Sequence, residues 1–421
     1  MQTLFLCLLL RMKIYFNLVE AVADALLEVF DSGRKADKVI EKLLRSNPKW
    51  GSRDRAFIAE QTYECVRWWR RLRYFQQNFS ENNIENSDIS RAEILEIIGI
   101  NLQLSGYDIS QIAAFEALKN TDFQKIDLAT LPPSIQQSIP DWLDQLGRDA
   151  FGEPRWTQQM TALNQTAPIV LRTNFLKTTA TDLQKNLSEI GWETIPVQNS
   201  AENEGFYLKK RANVFATDFF KNGLFEVQDA GSQAIGRFLQ VKSGMRVVDA
   251  CAGAGGKALH LATLMQNKGR IVALDIEGYK LEELKRRARR NGIGIIETRV
   301  IESTKTIKRL HDSADRLLLD VPCSGLGVLR RNPDAKWKLK PEFIEEIKQT
   351  QQQILQNYSK ILRVGGLMVY ATCSILPSEN EHQVALFLKN NPNFKQLDQQ
   401  TLSPADANQD GFFMALLSRE S

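Results

Sequence analysis

The stretch Met245–Ala262, MRVVDACAGAGGKALHLA, decides how this chain is read. Its first six residues, MRVVDA, have the composition of a short buried strand. Ala252, Gly253, Ala254, Gly255 and Gly256 then make a glycine-rich turn, and a helix starts from Lys257. Such a turn lets a ligand approach the backbone and receive amide hydrogen bonds. It is not a Walker loop, because GxxxxGK[ST] is absent, and it does not match GxGxxG. Tight packing of strand against helix is the bland alternative. The next strand, RIVALD (270–275), ends in Asp275, where a carboxylate can take both ribose hydroxyls or cap the following helix. Glycine turn and acidic strand end together favour a nucleoside. No usual phosphate partner lies nearby, so S-adenosyl-L-methionine fits better than NAD.

Outward from that point, strand and helix alternate. IIETRVI (295–301), DRLLLD (315–320) and LMVYATC (367–373) read as further strands, which predicts a parallel sheet with crossover helices. Pro341 opens an amphipathic helix that runs past Leu362 to a stop at Gly365, and Ser378 with Glu381 forms a capping box for the next. Upstream, PIVLRTNFL, TATDLQKNLSEIG and WETIPV alternate as strand, helix and strand. Residues 13–150 show helical spacing instead, as at Leu18, Val22, Leu26, Val29 and Phe30, with 56–74 read as one helix. The expected organisation is a helical domain at 12–145, a small α+β module at 146–226 and a Rossmann-like catalytic domain at 227–421. The fold class is α/β with an all-α N-terminal domain.

Composition narrows the class. A chain of 421 residues suits two or three domains, and 43% hydrophobic with 25% charged residues is ordinary for a globular protein. The formal charge is only +4, from 54 Lys and Arg against 50 Asp and Glu, so any basic surface must come from clustering. Residues 1–11 are apolar but too short to span a bilayer and lack signal-peptide flanks, so they read as a frayed or misassigned start. Five cysteines, Cys7, Cys65, Cys251, Cys323 and Cys373, form no CxxC pair, which points to a reduced cytoplasmic setting without a disulfide framework. His260, His311 and His382 share no ligand spacing and read as satisfied surface or helix residues. No metal site, no membrane partner and a monomer are expected.

Cys323 follows the fourth strand in DVPCSG and Cys373 ends the fifth in ATCS. A single cysteine is usually a small buried hydrophobe. Two thiols on successive strand-end loops beside a nucleoside site suggest chemistry, whereas Cys251 suits packing within the glycine turn. At these residues the sequence resembles the Sun-type RNA (cytosine-5) methyltransferases. VQDAGSQ (227–233), DACAGAGGK (249–257), DVPCSGLGVLRRNPDAKW (320–337) and YATCSILPSEN (370–380) carry the likeness. The resemblance implies that Cys373 is the nucleophile, Cys323 assists product release and Asp320 holds the cytosine edge, with Lys257 beside it. It also implies that Asp275 holds the ribose of the methyl donor and the glycine turn its methionine part, with Glu302 near a third-strand cofactor contact. Ala254 and Ala258 depart from the family's usual Pro and Thr.

RNA readers combine cations with stacking planes. Arg67 and Arg70 lie in a basic and aromatic run, RWWRRLRY (67–74), whose alternative is a helix with one buried aromatic face. Arg330, Arg331, Lys336 and Trp337 follow the Pro-Cys loop directly. The run Lys285–Arg290 sits at a helix C-terminus, where cations suit the dipole, and reads as a solvated face. Residues 51–72 resemble the NusB-like RNA-binding domain of bacterial family members that act on small-subunit ribosomal RNA. A transfer RNA methyltransferase of the same chemistry and a non-catalytic RNA-binding assembly factor are the competing expectations.

Overall fold

The computed structural model describes residues 14–79, 89–198, 204–407 and 409–421, and the expectation for residues 1–11 lies outside them. The described chain divides into two compact units. One runs to Asn164 and takes in Leu329–Leu339, and the other comprises 165–328 and 340–421.

The first unit is helical. Helices Phe16–Asp31, Ala36–Ser46, Ser52–Arg67, Trp69–Phe79 and Arg91–Leu104 bury Val22, Leu26, Ile58, Leu72, Phe75, Ile94 and Ile97 in one core. The single helix expected at 56–74 is two, because Trp68 leaves helical geometry at φ −102° and ψ 17°. That break lets Trp69, Leu72 and Phe75 join the core of the preceding helices. The unit also extends beyond residue 145 through helices Asp141–Phe151 and Glu153–Leu163, packed with Gly147 against the Trp156 ring. Leu329–Leu339, expected in the catalytic domain, belongs here too, since it supplies donors to a helix end described below.

In the second unit, strands β1 (Val170–Thr173), β2 (Thr194–Pro196), β3 (Gly205–Leu208) and β4 (Phe225–Val227) pair antiparallel in the order β2-β3-β1-β4. The expected helix spans Ala180–Glu189, capped by the Thr179 hydroxyl accepting from the Asp182 N–H at 3.1 Å. The larger sheet contains β5 (Arg246–Asp249), β6 (Arg270–Asp275), β7 (Ile296–Val300), β8 (Ala314–Asp320) and β9 (Leu362–Thr372). These five are mutually parallel, while β11 (Phe412–Arg419) runs antiparallel to both β9 and β10 (Phe394–Leu402). The order is β10-β11-β9-β8-β5-β6-β7. Successive residues bury on opposite faces: Val247, Leu318 and Val369 on one, Val248, Leu317 and Met368 on the other. Both faces are covered, as a parallel sheet requires.

Two local expectations change. The helix opened by Pro341 ends at Tyr358, and Gly365 sits inside β9. Strand pairing of Leu362 with Ala314 starts the sheet earlier than periodicity suggested. Ser378 caps nothing: helix Glu381–Asn390 begins at Asn380, which has no side-chain cap bond because its amide holds the Cys373 loop instead.

The small module braces the catalytic sheet. Buried Glu226 on β4 accepts from Arg287 at 2.9 Å and also pairs with Arg290, so these two arginines of the basic run are not a solvated face. Arg287 also donates to the Ala254 carbonyl at 2.8 Å, and buried Arg172 on β1 donates to the Gly256 carbonyl at 3.0 Å. Both sides of the glycine turn are thus held from outside. Glu226→Ala leaves two half-buried guanidiniums unpaired and should cost about 3 kcal/mol, read by urea unfolding. A loss below ~1 kcal/mol would mean that the pair is solvent-screened. His260 lies within helix Gly256–Leu264, fully buried and 2.6 Å from the buried Glu204 carboxylate.

Candidate active site

Strand order reverses beside β5: β6 and β7 lie on one side, β8 and β9 on the other. Ligands in doubly wound sheets bind outside the strand ends at such a switch point. The ends of β5, β8 and β9 carry Asp249, Asp320 and Thr372, so the glycine turn, the Pro-Cys loop and Cys373 emerge side by side.

The two expected thiols meet. Cys323 Sγ lies 3.3 Å from Cys373 Sγ, and both residues are half-buried. The hydrogen bond to Cys373 and burial push the Cys323 thiol well above its ordinary pKa. Either sulfur can donate its S–H to the other. The loops bearing them touch through backbone: Gly327 N–H donates to the Cys373 carbonyl at 2.9 Å. A Cβ at Gly327 would come within 2.1 Å of the Gly411 carbonyl oxygen and 2.8 Å of the Cys373 one, so only glycine permits the approach. Ser324 and Ser374, the residues after the two cysteines, both hydrogen-bond Glu379.

Beside the thiols, Lys257 Nζ donates to Asp320 Oδ2 at 2.6 Å. Burial pulls the Lys257 pKa down, but Asp320 and Cys373 outweigh it and hold it raised. Asp249 is 1% exposed, and neither oxygen has a well-formed hydrogen bond. Burial, then Asp320, push its pKa up to about 7 against the weaker pull of Lys257 and the Cys251 amide. Folding thus takes up a proton at Asp249 between pH 3.8 and about 7. Stability from this group is full below pH 3.8 and falls as pH rises through about 7. Asp249→Asn should remove that slope, seen as a smaller drop in unfolding free energy between pH 5 and pH 8; an unchanged slope would refute the assignment.

A cavity of about 760 Å³ opens at this edge, lined by Cys251, Gly253, Asp275, Ile276 and Asp320 among others. Gly253, at φ +53°, has open space where a Cβ would project, which suits close approach of a ligand. Gly255 differs: its Cβ would strike Leu284 at 2.3 Å, so packing dictates that glycine. Asp275 accepts from the Gly253 N–H at 2.8 Å and the Glu277 N–H at 2.9 Å, bracing the turn and opening the next helix at once. The cavity wall carries both signs of charge, with Asp275, Glu277 and Asp320 among Lys280, Lys308 and Lys360. S-adenosylmethionine, with a sulfonium, an ammonium and a carboxylate, carries both signs too.

Other expected site residues lie elsewhere. Glu302 is exposed and outside the cavity lining, which Ile301 and Thr304 supply. Ala252, Ala254, Gly255, Gly256 and Lys257 are also absent from the lining; they build the turn rather than the wall. Cys251, read as packing, does line the cavity. The expectation of RNA contact fails for Arg67, Arg330 and Lys336, which are 3%, 3% and 1% exposed. The reason is the end of helix Ser52–Arg67, whose last carbonyls need donors. Lys336 Nζ donates to the Arg67 carbonyl at 2.8 Å and Trp337 Nε1 to the Val66 carbonyl at 2.7 Å. Arg67 returns a bond to the Arg330 carbonyl at 3.2 Å. Arg70 is ion-paired to Asp141 at 2.7 Å, and Arg331 is half-buried. Asp249 and Glu379 were missed; the strand-end position of the first was a usable signal, and Glu379 had none beyond its place in LPSEN.

A sheet of five parallel strands extended by antiparallel β11, with a glycine turn and an acidic strand end at its switch point, is the Rossmann-like fold of methyltransferases. Residues 237–418 match the family described as 16S rRNA methyltransferase RsmB/F, and residues 139–215 match its ferredoxin-like domain. The probable ribosomal RNA small subunit methyltransferase B of Synechocystis sp. is 31% identical over 369 residues, covering 83% of this chain and 80% of that protein. The protein of that name from Bacillus subtilis is 31% identical over 335 residues, covering 77% and 72%. The crystal structure of PH0851 has the same fold, with a TM-score of 0.82 at 23% identity over 97% of this chain and 99% of that one. The chain belongs to the RsmB/F family of ribosomal RNA methyltransferases, and its methyl donor is S-adenosylmethionine.

Proposed function

We propose that this enzyme methylates carbon 5 of a cytosine in small-subunit ribosomal RNA through a transient bond between Cys373 and the base. The observation that carries this reading is the pair of sulfurs 3.3 Å apart beside the Lys257–Asp320 ion pair. Carbon 5 of cytosine is a weak nucleophile. Addition of the Cys373 thiolate to carbon 6 makes an enamine, which moves electron density onto carbon 5. Asp320 faces the exocyclic amine and ring nitrogen 3, and Lys257 holds the proton that balances charge there. Bound S-adenosylmethionine supplies the methyl group that carbon 5 takes. Cys323 passes its own proton to solvent and, as the thiolate, removes the proton from carbon 5; the electron pair of that carbon–hydrogen bond forms the 5,6 double bond, the carbon 6–sulfur bond breaks and Cys373 departs with its electron pair.

Gly253 and Asp275 would hold the cofactor, with Asp320 on the same cavity wall facing its positive charge. Arg70 and Arg331, each partly exposed, are the cations of the expected set that RNA can reach. The base must leave its stack to meet the thiol, as enzymes acting on nucleobases require. The relatives named as small-subunit ribosomal RNA enzymes favour that substrate over transfer RNA. Bisulfite sequencing of total RNA from cells with and without the protein tests the reading. One protected cytosine in small-subunit ribosomal RNA is expected. Protection confined to transfer RNA, or methylation of an exocyclic amine, would overturn it.

A further inference from the structure

We infer that Glu379 is the positioning residue that sets the distance between the two sulfurs, a role that rests on the two-thiol reading above. Glu379 is fully buried. Its Oε1 accepts from the hydroxyls of Ser324 and Ser374, each at 2.5 Å. Its Oε2 accepts from the Ser324 N–H at 2.8 Å and from Gln351 Nε2 at 3.0 Å. The carbonyl of the same residue accepts from the Tyr370 hydroxyl at 2.7 Å. One carboxylate therefore collects four donors, three of them from Ser324 and Ser374, the residues bonded directly to Cys323 and Cys373.

Chemistry requires a carboxylate here. An ionised carboxylate is acceptor-only and can face four donors at once, whereas an amide brings two donors of its own. Hydrogen bonds to an ionised acceptor are about twice as strong as neutral ones. The serine hydroxyl oxygens lie 3.1 Å apart, so the carboxylate pins both loops at adjacent points. Gln351 extends the clamp by also donating to the Pro322 carbonyl at 3.1 Å, just before Cys323. Glu379 touches neither sulfur and does not line the cofactor cavity. It acts through the loops.

The test measures geometry without methyl transfer. Dibromobimane bridges two close thiols, and Cys323–Cys373 bridging in the RNA-free enzyme is followed by peptide mass spectrometry. Wild type should bridge readily, Glu379→Gln about tenfold more slowly and Glu379→Ala about 100-fold, since a misplacement near 1 Å can cost that much. In turnover, kcat should fall in the same order while KM for S-adenosylmethionine stays within about twofold. Wild-type bridging by a folded Glu379→Ala protein overturns the proposal. So does a parallel rise in KM for the cofactor, which would mark a general structural role. If Glu379→Ala does not fold, Ser324→Ala/Ser374→Ala decides, with slowed bridging in support and wild-type bridging against. Bridging reads sulfur spacing even if Cys373 is not the nucleophile, so the two readings fail separately.

Discussion

Cys373→Ala abolishes the covalent enzyme–RNA complex and lowers methyl transfer by about 10⁴-fold or more, as loss of a nucleophile does when no other group can replace it. Cys323→Ala does the opposite to the complex. The bond to carbon 6 still forms, but the proton on carbon 5 has no base, so the methylated adduct accumulates and survives denaturing gel electrophoresis. The asymmetry follows from the pair itself. The sulfurs lie 3.3 Å apart, so one can bond carbon 6 while the other reaches the proton on carbon 5. Normal methylation by both variants would sink the assignment, and an adduct in Cys373→Ala but not in Cys323→Ala would reverse it.

Asp320→Asn should lower kcat by about 10²–10³-fold, the usual cost of one lost electrostatic partner at a developing charge. An asparagine carries no charge to set against the exocyclic amine, and it leaves Lys257 without its 2.6 Å partner. Lys257→Met removes the cation from the other side. Its ammonium interacts with the charges of Asp320, Cys373 and Asp249, so its loss leaves three acidic groups unbalanced. Methyl transfer should slow about tenfold or more in that variant. Unchanged kcat in both Asp320→Asn and Lys257→Met would separate the ion pair from catalysis.

Much of the catalytic sheet was legible because buried parallel strands are short apolar runs ended by turn residues. RIVALD matches β6 from end to end, and DRLLLD falls within β8. The strands β10 and β11 were not. β10 is an edge strand whose FKQLDQQTL is mostly exposed, so it lacks an apolar pattern, and β11 is apolar on both faces without alternation. The break at Trp68 was equally hidden, since the residues on either side continue a helical spacing and only the shared core selects the turn.

The amino-acid order by itself determined the reactive groups: a glycine turn, an acidic strand end, and two cysteines each just past a strand. These are local, since a strand and the loop after it are encoded in one contiguous run. The tertiary structure alone decided what those groups meet. Lys336 looked like an RNA cation beside the Pro-Cys loop, yet the free carbonyls ending helix Ser52–Arg67 claim it. Glu379 looked unremarkable, yet it gathers donors from loops fifty residues apart in the chain. Hydrogen-bond demand at a helix end or around a buried carboxylate is met by whatever donor folding brings there, and sequence separation carries no trace of that distance.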